Sequence, residues 1–493
     1  MPTRVLIFIV SYQAEAFLSS VLARIPAEFL QDPAYEVEIL VIDDQSQDRT
    51  FEVGHEYARL HPNLKLQVLY NPVNQGYGGN QKIGYHYAIK HGFDVVVLLH
   101  GDGQYAPEFL PQMLAPFAQG ADCVLGSRMV RRQDALKGGM PLYKWVGNQI
   151  LTRLQNAILG CQLAEFHTGY RAYRTATLAK VPFQTNSNYF DFDTDILIQM
   201  LDTHSKIVEI AIPTFYGDEI SRVNGMKYGG MILRTSLLSR IVRFGIFYDP
   251  RFDYLPQNSQ YTLKLGYPSS HEFALQVVEK AQHVLDIASG PNILTETLQA
   301  RGKLVTAVNN LPSPAQPTRD LAEIVQYTEL PPVDTVLLLD SLEHSKQPEK
   351  LLQQLRARYG ADQTALVLTT GNVGFFLVRL SHLFGMFNYS KKGILDMDHA
   401  RLFTLSSLRR CVQNAGFTIQ QVTAIPAPYP LAFGNTPFAR LCSTVNGWLC
   451  ALPFLRGLFA YQYGLTAHPT PTLEHLLASA ENASRQRRAQ GES

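Results

Sequence analysis

A chain of 493 residues with a 46% hydrophobic share exceeds what one core organises and carries apolar material for two or three domains. Its formal net charge of +1 gives no global pull toward nucleic acid. The five cysteines (Cys123, Cys161, Cys411, Cys442 and Cys450) are odd in number and form no CxxC pair, which argues against a disulfide framework or structural zinc and for a reducing, cytoplasmic setting.

The opening "MPTRVLIFIVSYQ" has a six-residue apolar run, short for a signal peptide, and reads as a first strand. Strand and helix signals then alternate. "VEILVIDD", "LKLQVLY" and "DVVVLL" read as strands, and "AFLSSVLARI", "TFEVGHEYARL" and "GGNQKIGYHYAIKHG" as helices. Continuous apolar strands separated by helices predict a parallel sheet covered on both faces. Such sheets bind ligands beyond the carboxyl ends of their strands.

After Ala121, "ADCVLGSRM" is strand and loop, "VGNQILTRLQNAIL" helix, "HTGYRAYR" loop and short strand, "FDFDTDILIQML" helix, and "KIVEIAIPTFY" an edge strand closed by Pro213. An amphipathic helix is expected over 229–247, with Leu233, Leu237, Ile241 and Phe244 on one face and Arg240 and Arg243 across from them. No run reaches the roughly 18 uncharged apolar residues of a membrane span. The nearest, "LCSTVNGWLCALPFL" (Leu441–Leu455), is broken by Asn446 and Pro453 and reads as buried or interfacial helix. With Arg234, Arg240, Arg243 and Arg456, these two stretches either pack inside or lie peripherally on the inner face of an anionic membrane.

A second alternating unit begins near residue 273. "AQHVLDIASGPN", "KLVTAVNN", "VDTVLLLDSLEH" and "QTALVLTTGN" give strands, and "TLSSLRRCVQNAGF" a helix. The expected layout is a domain over 1–230, a helix and linker over 231–272, a second domain over 273–425, and a helical segment with a disordered tail over 426–493.

The polar residues gather where such strands end. Asp43 and Asp44 close a strand and suit either base and ribose hydrogen bonds, or cation binding, or a helix N-cap. Gly76, Gly78 and Gly79 precede a helix and suit close approach of backbone to a phosphate, or an ordinary turn. Asp102 lies between two glycines in "HGDGQYAPE". With Gln104 and His100 it suits Mg²⁺ or Mn²⁺ bridging a diphosphate. Asp193 and Asp195 offer a general base, or a solvated first helical turn. Arg128, Arg131 and Lys137 suit a phosphate-bearing acceptor, or are a plain basic loop.

Taken in order, these motifs resemble family 2 glycosyltransferases of GT-A fold, in the dolichyl-phosphate mannose synthase-like branch. "VSYQAEAF" stands in the place of P-x-Y-N-E, and "VIDDQSQDRT" matches V-D-D-G-S-x-D-x-T. "NQGYGGNQKIG" matches N-x-G-x-G-x-A-x-x-x-G, "HGDGQYAPE" D-x-D-x-Q-x-x-P-E, "LGSRM" the G-S-R loop, and "HTGYRAYR" T-S-G-F-R-x-Y. The resemblance implies a UDP- or GDP-sugar donor, a divalent metal and inverting transfer to a polyprenyl phosphate or a glycan. It assigns Tyr12, Glu15, Asp43, Asp44, Gly76, Gly79 and Lys82 to the donor. Arg128, Arg131, Lys137, Thr168 and Arg171 go to the acceptor. His100 replaces the first aspartate of D-x-D and Gln13 the usual asparagine. "YGDEISRVNGMKYG" resembles the branch's acceptor-side segment, a loop expected to close over substrate.

In the second half, "HVLDIASGPN" resembles motif I of class I S-adenosylmethionine methyltransferases, keeping Asp286 and Gly290. "DTVLLLDSLEHSKQPEKLLQQLR", with Asp340, Glu343 and His344, resembles the motif around their fourth strand. The fold implied is a second Rossmann-like α/β domain. Ala288 and Asn292 stand in place of glycines, and Asn309 or Asn310 in place of the ribose-binding acid. The domain is either a relic or a working methyltransferase, and the alternative function is methylation of a glycan or lipid held by a non-catalytic first domain. His399 and Arg401 fall in an insertion that either contacts acceptor or caps the surface.

Overall fold

Val5–Ile9 and Val95–Leu99 are almost wholly excluded from solvent. An unbroken apolar strand can be buried this way only where helices cover both faces of the sheet. The computed structural model describes residues 2–213, 225–243, 248–253, 263–311, 320–360, 364–473 and 476–477. They divide into two compact units, one of residues 1–240 with 249–255, the other of 241–248 with 256–493.

The first unit holds β1 (Thr3–Ser11), β2 (Tyr35–Asp43), β3 (Leu66–Tyr70), β4 (Val95–His100), β5 (Cys123–Ser127), β6 (Arg171–Arg174) and β7 (Ile207–Ala211), in the order β3-β2-β1-β4-β6-β5-β7. The first four strands are parallel as expected, and β6 runs antiparallel to both β4 and β5. Ser11 pairs in register with Asp43, and Val10 with His100. The carboxyl ends of β2, β1 and β4 therefore stop in one row.

The second unit holds β8 (His283–Ala288), β9 (Leu304–Asn309), β10 (Thr335–Leu339), β11 (Ala365–Gly371), β12 (Phe417–Ile425) and β13 (Gln462–Pro469), ordered β12-β13-β11-β10-β8-β9. β13 runs antiparallel between β11 and β12. This corrects the expected boundary at 425. "QYGLTAHP" falls within the stretch expected as helical segment and tail, yet Tyr463, Leu465 and Ala467 are buried and complete the sheet. The tail after 477 lies outside the described residues.

The amphipathic helix also differs. It spans Gly225–Val242, and its buried face is Gly229, Ile232, Thr235, Ser236, Ser239 and Arg240, whereas Leu237 is 43% exposed. Arg240 is drawn inward by Asp202 at 3.0 Å and by the Leu159 carbonyl, so it is not a headgroup contact. A desolvated ion pair of that kind outweighs the apolar pattern in choosing which side faces in. Phe244 and most of "YGDEISRVNGMKYG" lie outside the described residues.

Candidate functional site

The row of strand ends contains two buried polar atoms with no partner, Ser11 Oγ on β1 and Asp43 Oδ2 on β2. Asp43 uses its other oxygen on the Ser46 backbone N–H and hydroxyl. Burial raises its carboxyl pKa above the usual aspartate range, against the pull of the Ser46 hydrogen bonds. Neighbouring Asp44 is spent: it accepts from Asn71 Nδ2 at 2.8 Å, Gln75 N at 2.8 Å and Gly76 N at 3.0 Å. Of the two adjacent carboxylates, Asp43 is thus the one with an oxygen left unpaired, and Asp44 ties down the next loop. Glu15 accepts from Arg49 N at 3.0 Å, at the entry of the Thr50–Leu60 helix, and Tyr12 is 42% exposed beside it. Gln13 and Gln45 hold positive φ values of 52° and 58°, so the turns after β1 and β2 carry strained backbone at this edge.

At the end of β4, Asp102 accepts from Gln104 N at 3.1 Å through Oδ1, which leaves Oδ2 uncommitted. Asp102 and Gln104 are half-exposed. His100 turns the other way. Its Nε2 lies 3.2 Å from Tyr77 Oη, and a Cβ on Gly169 would meet that ring at 2.6 Å. Tyr77 Oη donates to Asp193 Oδ2 at 3.1 Å, so His100 Nε2 carries the hydrogen between them. His100 Nε2 is therefore engaged within the fold. Among the described residues no three His, Cys, Asp or Glu side chains converge as a metal-binding group.

Neither candidate base is open to an acceptor. Asp193 is 6% exposed and is held by Tyr77, Gln81 Nε2 and, at 3.6 Å, Arg171. Asp195 is fully buried and bonded to Ser187 N at 2.9 Å and Arg251 Nη1 at 3.1 Å. Arg128 is likewise engaged. Its backbone N–H, Nε and Nη2 donate to Glu165, and Nη2 also reaches the His167 carbonyl. Glu165 is fully buried. Burial pushes its pKa up, but the Arg128 charge and hydrogen bonds hold it below the usual value. Glu165 and Tyr77 escaped the sequence reading. An acid inside "CQLAEFHTG" and a tyrosine between glycines were the only signals.

Residues 6–181 match the model of Glycosyl transferase family 2, and residues 260–422 that of a Methyltransferase domain. An undecaprenyl-phosphate mannosyltransferase of Micrococcus luteus is 30% identical over 246 residues, covering 49% of this chain and 94% of its own. The chain belongs to glycosyl transferase family 2. A polyprenol monophosphomannose synthase of Mycolicibacterium smegmatis is 28% identical, over 49% of this chain and 87% of its own. A Methanococcus voltae enzyme, named as a UDP-N-acetylglucosamine–dolichyl-phosphate N-acetylglucosaminyltransferase, is 26% identical, over 48% and 95%.

Several motif residues of this glycosyltransferase unit serve its own packing. The Tyr77–Lys90 helix begins at Gly76, and Gly78 N and Gly79 N both donate to the Asn188 carbonyl. A Cβ on Gly76 would meet that carbonyl oxygen at 2.6 Å, and one on Gly78 the Ser187 oxygen at 2.4 Å. The glycines therefore admit the 187–192 segment, not a phosphate, and Lys82 caps the same segment through Asn186 O and Asn188 Oδ1. Thr168 and Arg171 are fully buried. Thr168 donates to the Gly126 carbonyl, while Arg171 donates to the Thr168, Phe166 and Asp193 carbonyls. They brace the loop and do not face an acceptor. Arg131 and Lys137 remain exposed, with Asp134 3.9 Å from Lys137.

In the methyltransferase domain the residues do not fit S-adenosylmethionine. Asn292 donates to the carbonyls of Asp286 and Val308, and so bridges the ends of β8 and β9. Asn309 Nδ2 in turn donates to Asn292 Oδ1 at 2.8 Å. Gly290 is buried, and Ser289 just before it is tied to Ser341 Oγ and the Asp340 carbonyl. Asp286 accepts from Thr295. Asp340, with φ at 46°, accepts from Ser270, Thr369 and Gln462 and lies 3.5 Å from Lys264. Asn310 is half-exposed at the end of β9 and is no acid. The motif side chains are thus hydrogen-bonded to one another and to the neighbouring strand ends.

Glu343 in this domain is 3% exposed, and its Oε2 has no partner. Burial first, then the Asp340 charge, pushes its pKa from the ordinary 4.5 up to about 7. An acid raised on folding binds more protons in the folded state, so its stabilising contribution is present below pH 4.5 and lost as pH rises toward 7. Glu343→Gln is expected to remove that slope and to stabilise the domain by ~1–3 kcal/mol at pH 8. Calorimetric unfolding of parent and variant at pH 5 and pH 8 checks it; equal slopes in the two proteins would contradict the reading.

Proposed function

We propose that the glycosyltransferase unit moves a sugar from a nucleoside diphosphate donor to a polyprenyl phosphate, with inversion at the anomeric carbon. The observation that carries this is the pair of unsatisfied buried atoms, Ser11 Oγ and Asp43 Oδ2, in one row with the Asp102 turn. Asp43 Oδ2 would accept from the base or ribose of the donor. Asp102 and Gln104, with one carboxylate and one amide oxygen, would hold a Mg²⁺ or Mn²⁺ ion. Such an ion, when bound, neutralises charge on the departing diphosphate.

A phosphate oxygen of the acceptor attacks the anomeric carbon, and the bond from that carbon to the diphosphate breaks. The acceptor is already anionic, so no proton need be removed. That agrees with Asp193 and Asp195 being fully committed within the fold. The three relatives named above act, by their names, on lipid-linked phosphates or their products. Arg131 is an exposed cation next to the G-S-R loop. Arg131→Ala is expected to raise KM for a polyprenyl phosphate about tenfold, with donor affinity and Tm unchanged. Equal KM values would remove Arg131 from the acceptor site.

The deciding experiment is a thermal-shift panel of UDP-, GDP- and TDP-sugars with Mn²⁺, run beside S-adenosylmethionine, followed by transfer of labelled sugar to a polyprenyl phosphate. A shift with one nucleotide sugar, none with S-adenosylmethionine, and a labelled lipid product are expected. A shift with S-adenosylmethionine alone would favour the methyltransferase alternative.

A further inference from the structure

The second unit carries a lobe whose surface is neither core-like nor ordinary. The helix Pro437–Ala451 presents Phe438, Leu441, Val445 and Trp448 to solvent, at 47%, 63%, 48% and 65% exposure. Their spacing of three, four and three residues places them on one stripe. The opposite side of the helix buries Ala439, Asn446 and Cys450. Phe454, just beyond, is 79% exposed. The helix Phe376–Leu383 ends in a similar way, with Leu383, Phe384 and Phe387 at 78%, 69% and 48%. The inner faces of the two helices share one core, in which Phe375 and Val378 meet Ala432, Phe433 and Ala439. The outward aromatics therefore belong to a single lobe. Apolar exposure on this scale marks an interaction surface.

The charge pattern says what kind. Neither the segment 372–395 nor the segment 426–469 contains an Asp or Glu. At the chain's average frequency, 42 acids in 493 residues, about six would be expected there. The same segments hold Arg379, Lys391, Lys392, Arg440 and Arg456. The next acids along the chain, Asp396 and Asp398, lie in the turn after residue 395, where Asp396 Oδ1 accepts from Asp398 N, and Asp340 accepts from Gln462. A protein partner recognised by five cations would need matching carboxylates around an apolar centre. A bilayer with anionic headgroups offers both features over any area, and Trp, Phe and Leu beside Lys and Arg suit its interface. No helix among the described residues is long and apolar enough to cross a membrane.

We infer that this lobe of the second unit docks in the plane of an anionic membrane, with the Leu441–Trp448 stripe in the acyl boundary and the basic side chains at the headgroups. This rests on the lipid-phosphate reading only for its purpose, which is to hold the enzyme where a polyprenyl phosphate resides.

The test is flotation of the full chain with phosphatidylcholine vesicles, with and without phosphatidylglycerol, at low and high salt. The parent should float with the anionic vesicles at low salt, and Trp448 emission should shift to the blue. Leu441→Ser with Trp448→Ser should lower partition at least tenfold with unchanged Tm, since both side chains are exposed. Arg440→Glu should lower partition onto anionic vesicles alone by about fivefold or more. Failure of the parent to float, or equal flotation of the double variant, overturns the inference. So does a dimer in vesicle-free solution that the same double substitution abolishes, because the surface would then belong to a second copy. Transfer to a short-chain, water-soluble polyprenyl phosphate without vesicles separates the two readings. Transfer equal in parent and double variant keeps catalysis independent of docking, whereas vesicle binding without any transfer sinks the transferase reading alone.

Discussion

Asp102→Ala is expected to lower kcat/KM for sugar transfer by about 10³-fold or more and to abolish Mn²⁺-dependent nucleotide binding. Asp102 supplies the one uncommitted carboxylate oxygen at the end of β4. His100 has its Nε2 engaged by Tyr77 and its ring against Gly169. Gln104 offers a neutral oxygen, too weak alone to hold a hard divalent cation. The fold should hardly notice, since the substitution removes a single turn hydrogen bond at a half-exposed position, worth ~1 kcal/mol. Calorimetric titration of a nucleoside diphosphate with and without Mn²⁺, alongside melting of the variant, checks both halves. A variant that binds the nucleotide with the parent's metal dependence would show that the ion is held elsewhere.

The second large effect is on stability. Arg128→Ala leaves Glu165 fully buried with its principal cation gone. Removing one partner of a buried pair costs ~3–5 kcal/mol, because the remaining charge has lost its solvent and its compensation. Asn148 Nδ2 at 2.9 Å and the Arg128 backbone N–H still reach the carboxylate, which points to the lower end of that range. The transition of the first unit should drop by about 10 °C. The loss of activity should follow the loss of folded protein and fall on donor and acceptor alike. A double variant, Arg128→Met with Glu165→Gln, keeps an acceptor for the backbone N–H and leaves no buried charge; it should recover at least half of the loss. If Arg128→Ala melts with the parent, or the double variant is no better than the single one, the pair is not what braces this loop.

Local pattern determined much of this protein. Five-residue apolar runs such as Val5–Ile9 can be satisfied only by a sheet covered on both faces, and the turns that follow them must hold the polar residues. The row of Tyr12, Asp43 and Asp102 was therefore legible from hydrophobic period and turn chemistry alone. The two α/β units were legible in the same way, and the glycosyltransferase motifs through their resemblance to the family. What the sequence could not say is which of several like side chains is already spent. Asp43 and Asp44 are adjacent and identical in chemistry. Only the return of the 71–76 loop fills every position on Asp44 and leaves one oxygen of Asp43 bare.

Longer-range contacts decided the rest. Gly76 and Gly78 read as a phosphate cradle, yet they make room for residues more than a hundred positions later. Arg240 belongs to a helix whose leucines suggest the opposite face, and Asp202 turned that helix over. β13 joined its sheet from beyond a helical stretch because two strands distant in the chain left a gap that only a short apolar strand could close. Burial, charge pairing and strand order are set by groups that meet across the fold. A linear pattern fixes which residues can serve a site, and the free energy of those distant contacts determines which of them remain available to it.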